Sequence, residues 1–124
     1  MSSLSPEDRR RFPRLNTGPD YGARVLYMGR ALDHAELKNI SACGCALQVM
    51  VEEVRSLEVG TVLDGIYLLH PELPQVPLPA VVMWVLGRHA AKVSGPITVG
   101  LDFNPITDLV QELIQQHVLE AGRP

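Results

Sequence analysis

Four arginines, Arg9, Arg10, Arg11 and Arg14, fall within six positions near the amino end, in the run "DRRRFPRLN". A guanidinium is planar and permanently charged. It grips phosphate oxygens or the O6/N7 edge of guanine through two parallel hydrogen bonds, and it stacks on π faces. All four basic residues are Arg and none is Lys, which suits directional recognition better than bulk charge. Phe12 and Pro13 interrupt the run with an apolar ring and a fixed φ, as expected of a segment that docks in a defined shape. A solvated charge run on a loose terminus is the other reading of the same residues.

A second group with chemical potential is "NISACG", Asn39 to Gly44. Asn39 and Ser41 are two apart, so in an extended chain they share a face. Gly44 permits a positive φ or a close backbone approach to a ligand. An amide, a hydroxyl and a bare backbone together can make neutral, directional contacts to a base edge and a phosphate. An ordinary turn, with Asn39 and Ser41 bonded to local backbone, accounts for the same pattern.

The elements that must position these groups are mostly strands. Residues 1–20 carry no apolar period and are rich in Pro, Gly and Ser, which predicts a flexible basic arm ahead of a folded unit over 21–121. Six short apolar segments follow: "ARVLYMG", "ALDHAELKNIS", "GCALQVMVEE", "TVLDGIYLLH", "VPLPAVVMWVLG" and "ITVGLDF". Their length and punctuation predict an antiparallel barrel or sandwich. Pro74, Pro77 and Pro79 put the start of the fifth segment at an edge or outside the sheet. In "NPITDLVQELIQQHVLEAG" the period changes: Ile106, Leu109, Val110, Leu113, Ile114 and Val118 recur at helical spacing. Asn104 is the expected N-cap with Pro105 at the first helical position, and Gly122 the stop. The helix is expected to pack on the barrel or plug its mouth.

Taken together, the motifs resemble those of the PilZ domain. That family carries Arg-x-x-x-Arg before its first strand and Asp/Asn-x-Ser-x-x-Gly between its second and third. Arg10 and Arg14 supply the first motif, because Arg9 would pair with Pro13 and Arg11 with Leu15. Asn39, Ser41 and Gly44 supply the second, with Asn where Asp is commoner and Cys43 where Gly often precedes the last position. "VVMWVLG" and "VGLDF" look like later strands of the family, so the likeness covers roughly residues 7 to 120.

The resemblance implies a six-stranded antiparallel β-barrel with a C-terminal helix. It also implies a receptor for cyclic diguanylate (c-di-GMP), a bacterial second messenger with two guanines and two phosphates. Arg10, Arg14, Asn39, Ser41 and Gly44 would hold this ligand. Arg9 and Arg11 are helpers at most. Trp84 is either a stacking partner beside the site or a barrel residue. A receptor of this size would signal to an unidentified effector protein through ordering of its arm. The alternative is a module of the same fold that binds proteins and no nucleotide.

Other function classes find less support. The formal net charge of −3 argues against general DNA or RNA binding, which needs a broad basic surface. No apolar run approaches the roughly 20 residues of a membrane-spanning helix, and no secretory signal opens the chain, so a cytoplasmic setting without membrane insertion is expected. Cys43 and Cys45 make no disulfide framework and are too few for a structural zinc site. His34, His70, His89 and His117 follow no motif, so neither an enzyme nor a metal site is expected, and no cofactor is implied.

Overall fold

In the computed structural model, which describes residues 12–50, 57–87 and 95–122, each of the six segments is a strand. We number them after a short leading strand, β1 (Leu15–Asn16). They are β2 (Gly22–Tyr27), β3 (Arg30–Ser41), β4 (Gly44–Met50), β5 (Val62–Leu69), β6 (Leu78–Leu86) and β7 (Pro96–Phe103). The helix α1 (Asp108–Ala121) follows. The antiparallel order β3-β2-β5-β6-β7-β4 returns to β3 through the β3–β4 pairing, so six strands close on themselves. A closed barrel leaves no edge among these strands. β1 is an addition on the outside of this circuit: Leu15 pairs with Ile40 and Asn16 with Asn39. The Thr17 amide extends the pairing to the Lys38 carbonyl at 3.1 Å. Residues 15–17 of the arm are thus fastened to β3.

The pattern in β4 shows why the chain folds this way. Cys45, Leu47 and Val49 point into the barrel and are buried, and Ala46, Gln48 and Met50 alternate with them on the outside. The β2–β3 connection is a two-residue hairpin in which Met28 and Gly29 both have positive φ, 51° and 74°. Such turns match the twist of the flanking strands.

Besides a register shift between Ala23 and Val25 in the β2–β3 pair, three bulges break the period of two. On β3, Leu37 faces Leu47 and Asn39 faces Ala46, so Lys38 is an extra residue. On β6, Val82 faces Leu101 and Trp84 faces Gly100, so Met83 is extra. On β5, Leu63 faces Ala80 and Ile66 faces Leu78, which sets two residues against Pro79 alone. Each bulge switches the face on which the following side chains emerge. The third corrects the expectation for Pro79: it lies within β6, in a closed sheet. A proline has no N–H to give, and the bulge opposite it relaxes the ladder there. Its carbonyl still accepts from the Asn104 amide at 2.9 Å.

The helix begins later than the sequence suggests. Asn104 is no cap: its amide is engaged with Pro79, extending the β7–β6 pairing. Thr107 is the N-cap, with its hydroxyl accepting from the Val110 amide at 3.3 Å. Gly122 does end the helix, in right-handed conformation. The buried face is also narrower than expected. Ile114 and Val118 join the barrel core, but Leu109 and Leu113 are exposed, and His117 takes a buried position between them and the barrel.

Candidate functional site

The bulge at Lys38 decides the geometry of "NISACG". Without it Asn39 would follow Leu37 into the core. With it, Ile40 is the inward residue, and Asn39 emerges on the outer face. There the two motifs meet: Nη1 of Arg14 donates to Oδ1 of Asn39 at 2.8 Å. β1 makes this possible, because its pairing with Ile40 and Asn39 sets Arg14 beside the turn. Arg14 is exposed and Asn39 half-buried, so the Arg14 guanidinium is open to solvent. Arg9, Arg10 and Arg11 lie outside the described residues.

Ser41 and Gly44 pair with each other at the base of the β3–β4 turn. Ser41 is fully buried. Its Oγ accepts from the Cys43 amide at 3.3 Å and reaches the Gly44 carbonyl at 3.4 Å, within the two-residue β3–β4 turn. The Cys43 carbonyl accepts from the Phe103 amide at 2.9 Å, which bolts this turn to the end of β7. Gly44 has ordinary φ, and a Cβ there would collide with the Leu101 carbonyl. The close backbone approach is therefore to β7. These residues give the turn its shape.

Trp84 sits in the same lateral row. Asn16 pairs with Asn39, Asn39 with Ala46, Ala46 with Gly100, and Gly100 with Trp84. The bulge at Met83 is what turns Trp84 outward, and the indole lies directly over Gly100, where a Cβ would overlap the ring. Trp84 is 39% exposed. The row is polar and cationic at the Arg14–Asn39 end, runs across Ala46, and ends at the indole that covers Gly100. Cys45, which faces inward beside it, is inert: burial pushes its thiol up to about 12, against a smaller opposing effect of Arg14.

A second cluster was invisible to sequence spacing. His70 follows β5, and His117 is on α1. Tyr21, just before β2, stacks on His70 with centroids 4.2 Å apart and bonds Nε2 of His117 through its hydroxyl at 2.7 Å. The two imidazole rings are 4.9 Å apart. Burial, then His70, holds the His117 imidazolium below its usual pKa, with Glu72 and Glu120 opposing. Burial, then Glu72 and Asp20, raises the Tyr21 phenol. His70 and His117, which share no sequence motif, are brought together by the fold. His34 is exposed on β3, and His89 lies outside the described residues.

The closed six-stranded antiparallel barrel, with β1 laid on its outside and a helix appended, defines the class of fold. A family model for the PilZ domain matches residues 8–120, and the chain belongs to that family. Solved structures agree on the fold. MrkH of K. pneumonia in complex with c-di-GMP superposes with a TM-score of 0.71 at 22% identity, over 91% of this chain and 52% of that one. The Bacillus subtilis inhibitor of motility MotI/DgrA gives 0.72 at 19% identity, over 91% and 51%. The PilZ domain of YcgR from Escherichia coli with c-di-GMP gives 0.67 at 14% identity, over 90% of both chains. The chain spans about half the length of the MrkH and MotI/DgrA structures. A comparison with curated protein sequences found no match. Among the described residues, no helix is long and apolar enough to cross a membrane.

Proposed function

We propose that this chain is a receptor for c-di-GMP, which binds along this row on the outer wall and is gripped from one side by the arm. The observation that carries the reading is the Arg14–Asn39 contact, which brings the arm motif and the turn motif to one place. Membership of the PilZ family, and the c-di-GMP complexes of MrkH and YcgR, support the choice of ligand.

The ligand's two phosphates and two guanines match what the surface offers. Arg10 and Arg14 take guanine edges and phosphates through paired hydrogen bonds, and Asn39 takes a base edge once the ligand displaces it from Arg14. Ser41 and Gly44 serve by holding the turn in shape. Trp84 offers a π face at the far end of the row, and Arg9 and Arg11 add charge. Ordering the arm costs roughly 1–2 kcal/mol of backbone entropy per residue. Charge-assisted hydrogen bonds of roughly 1.5–3 kcal/mol each offset it. The ordered arm presents a new surface to an effector protein, a disorder-to-order form of signalling.

Amide chemical-shift mapping with c-di-GMP tests the placement. Perturbations should concentrate at residues 14–17, 39–46 and 98–102. Perturbations confined to the end of the barrel that carries His70 and His117 would overturn it.

A further inference from the structure

We propose that His70, Glu72 and His117 form a binding site for a divalent transition-metal ion of the zinc class. Each of the three offers a ligand atom, and these atoms all lie within 4.8 Å of one another. A tetrahedral metal with bonds of about 2.0–2.2 Å holds its donors about 3.3–3.6 Å apart, so the side chains close by about 1 Å on binding. The fold, and no local motif, gathers them: His70 and Glu72 come from the turn after β5, and His117 from α1.

The site is built on more than proximity. His117 sits on the buried face of α1 beside Ile114 and Val118, where an apolar residue would pack without the cost of burying a polar ring. Tyr21 holds both rings in place, by stacking on His70 and by its 2.7 Å bond to Nε2 of His117. With Nε2 bonded to Tyr21, the His117 nitrogen left for a metal is Nδ1, which ligates when the ring proton sits on Nε2. An open groove of about 260 Å³, lined by Glu72, His117 and Glu120 among others, gives an ion a way in. Two imidazoles and one carboxylate select zinc, nickel, cobalt or copper over calcium or magnesium, which prefer all-oxygen sites. The Glu72 amide donates to Nδ1 of His70 at 3.1 Å. Ligation takes that nitrogen, or uses Nε2 and moves the ring proton to Nδ1, so one hydrogen bond is exchanged for a metal bond. A bound ion would clamp α1 to the end of β5.

The test is titration of the full chain with cobalt(II), read by its visible absorption, and with zinc chloride, read by calorimetry in a non-chelating buffer. Saturable binding at one ion per chain is expected in the micromolar range or tighter. His70→Ala should weaken it at least tenfold, and Glu72→Gln severalfold. His34→Ala, on the exposed strand β3, should leave it unchanged. Zinc should raise the thermal midpoint of the wild type and not of His70→Ala. His70 and Glu72 are the decisive positions because neither is buried, and circular dichroism confirms that their variants fold. Binding that is absent, needs millimolar ion, or survives His70→Ala overturns the proposal.

Discussion

The guanidinium of Arg14 donates to the side-chain oxygen of Asn39 at 2.8 Å, across 25 residues of sequence. An exposed pair of this kind adds little to stability, and surface changes of this sort usually stay within about 0.5 kcal/mol. Arg14→Ala and Asn39→Ala should therefore unfold in urea at nearly the wild-type midpoint, yet each should weaken c-di-GMP binding. Equal loss of stability and binding would mean that the contact serves the fold.

Gly44 is expected to behave in the opposite way. A Cβ there meets the backbone carbonyl of Leu101, which cannot swing aside. Forced contacts of this type cost about 1–3 kcal/mol. Gly44→Ala should shift the urea midpoint accordingly, and a wild-type midpoint would show that the strands have room to part.

Gly100→Ala meets a side chain, which can move. The new methyl should lift the indole of Trp84 from the barrel wall at small cost in stability. Trp84 is the chain's one tryptophan, so its emission reports the event directly, by a shift to longer wavelength. Unchanged emission would contradict the packing described.

The start of α1 can be checked by two substitutions. Thr107→Ala removes the hydroxyl that accepts from the Val110 amide and should cost about 1 kcal/mol. Asn104→Ala should cost less than about 0.5 kcal/mol. The reverse order, in thermal or urea unfolding, would return the cap to Asn104.

Cys45 supplies a pH test. Its thiol is raised from the ordinary value of 9.0 to about 12 in the folded state, so the protonated form is favoured by folding. The associated stability is fully present below pH 9 and is lost as pH rises from there towards 12. At pH 8 the folded protein should leave Cys45 unalkylated by iodoacetamide, with modification appearing in denaturant. Alkylation at the rate of an unstructured thiol would contradict its burial.

The strands were readable because their buried side chains alternate, as in Cys45, Leu47 and Val49. The faces of Asn39 and Trp84 were harder to read, because each depends on a bulge. The signal exists in hindsight: Leu37 and Ile40 are both core residues three apart, and Val85, three after the core residue Val82, packs against the core; a strict period of two cannot turn both members of such a pair inward. Asn104 misled because its side chain has the chemistry of a cap and its backbone was already committed to β6. The packing of Ser41 and Gly44 inside the turn was not readable, because it depends on the Leu101 and Phe103 backbone, far away in sequence. The His70–Tyr21–His117 cluster joins three distant segments, and no spacing rule reaches it.

Calorimetric titration of the folded wild-type chain with c-di-GMP is the most direct test of the central claim. The account predicts saturable heat, with Arg10→Ala and Arg14→Ala each weakening binding roughly tenfold to a hundredfold, as loss of a charge-assisted hydrogen bond requires. Absence of heat, or an Arg14→Ala variant that binds as well as the wild type, would contradict it.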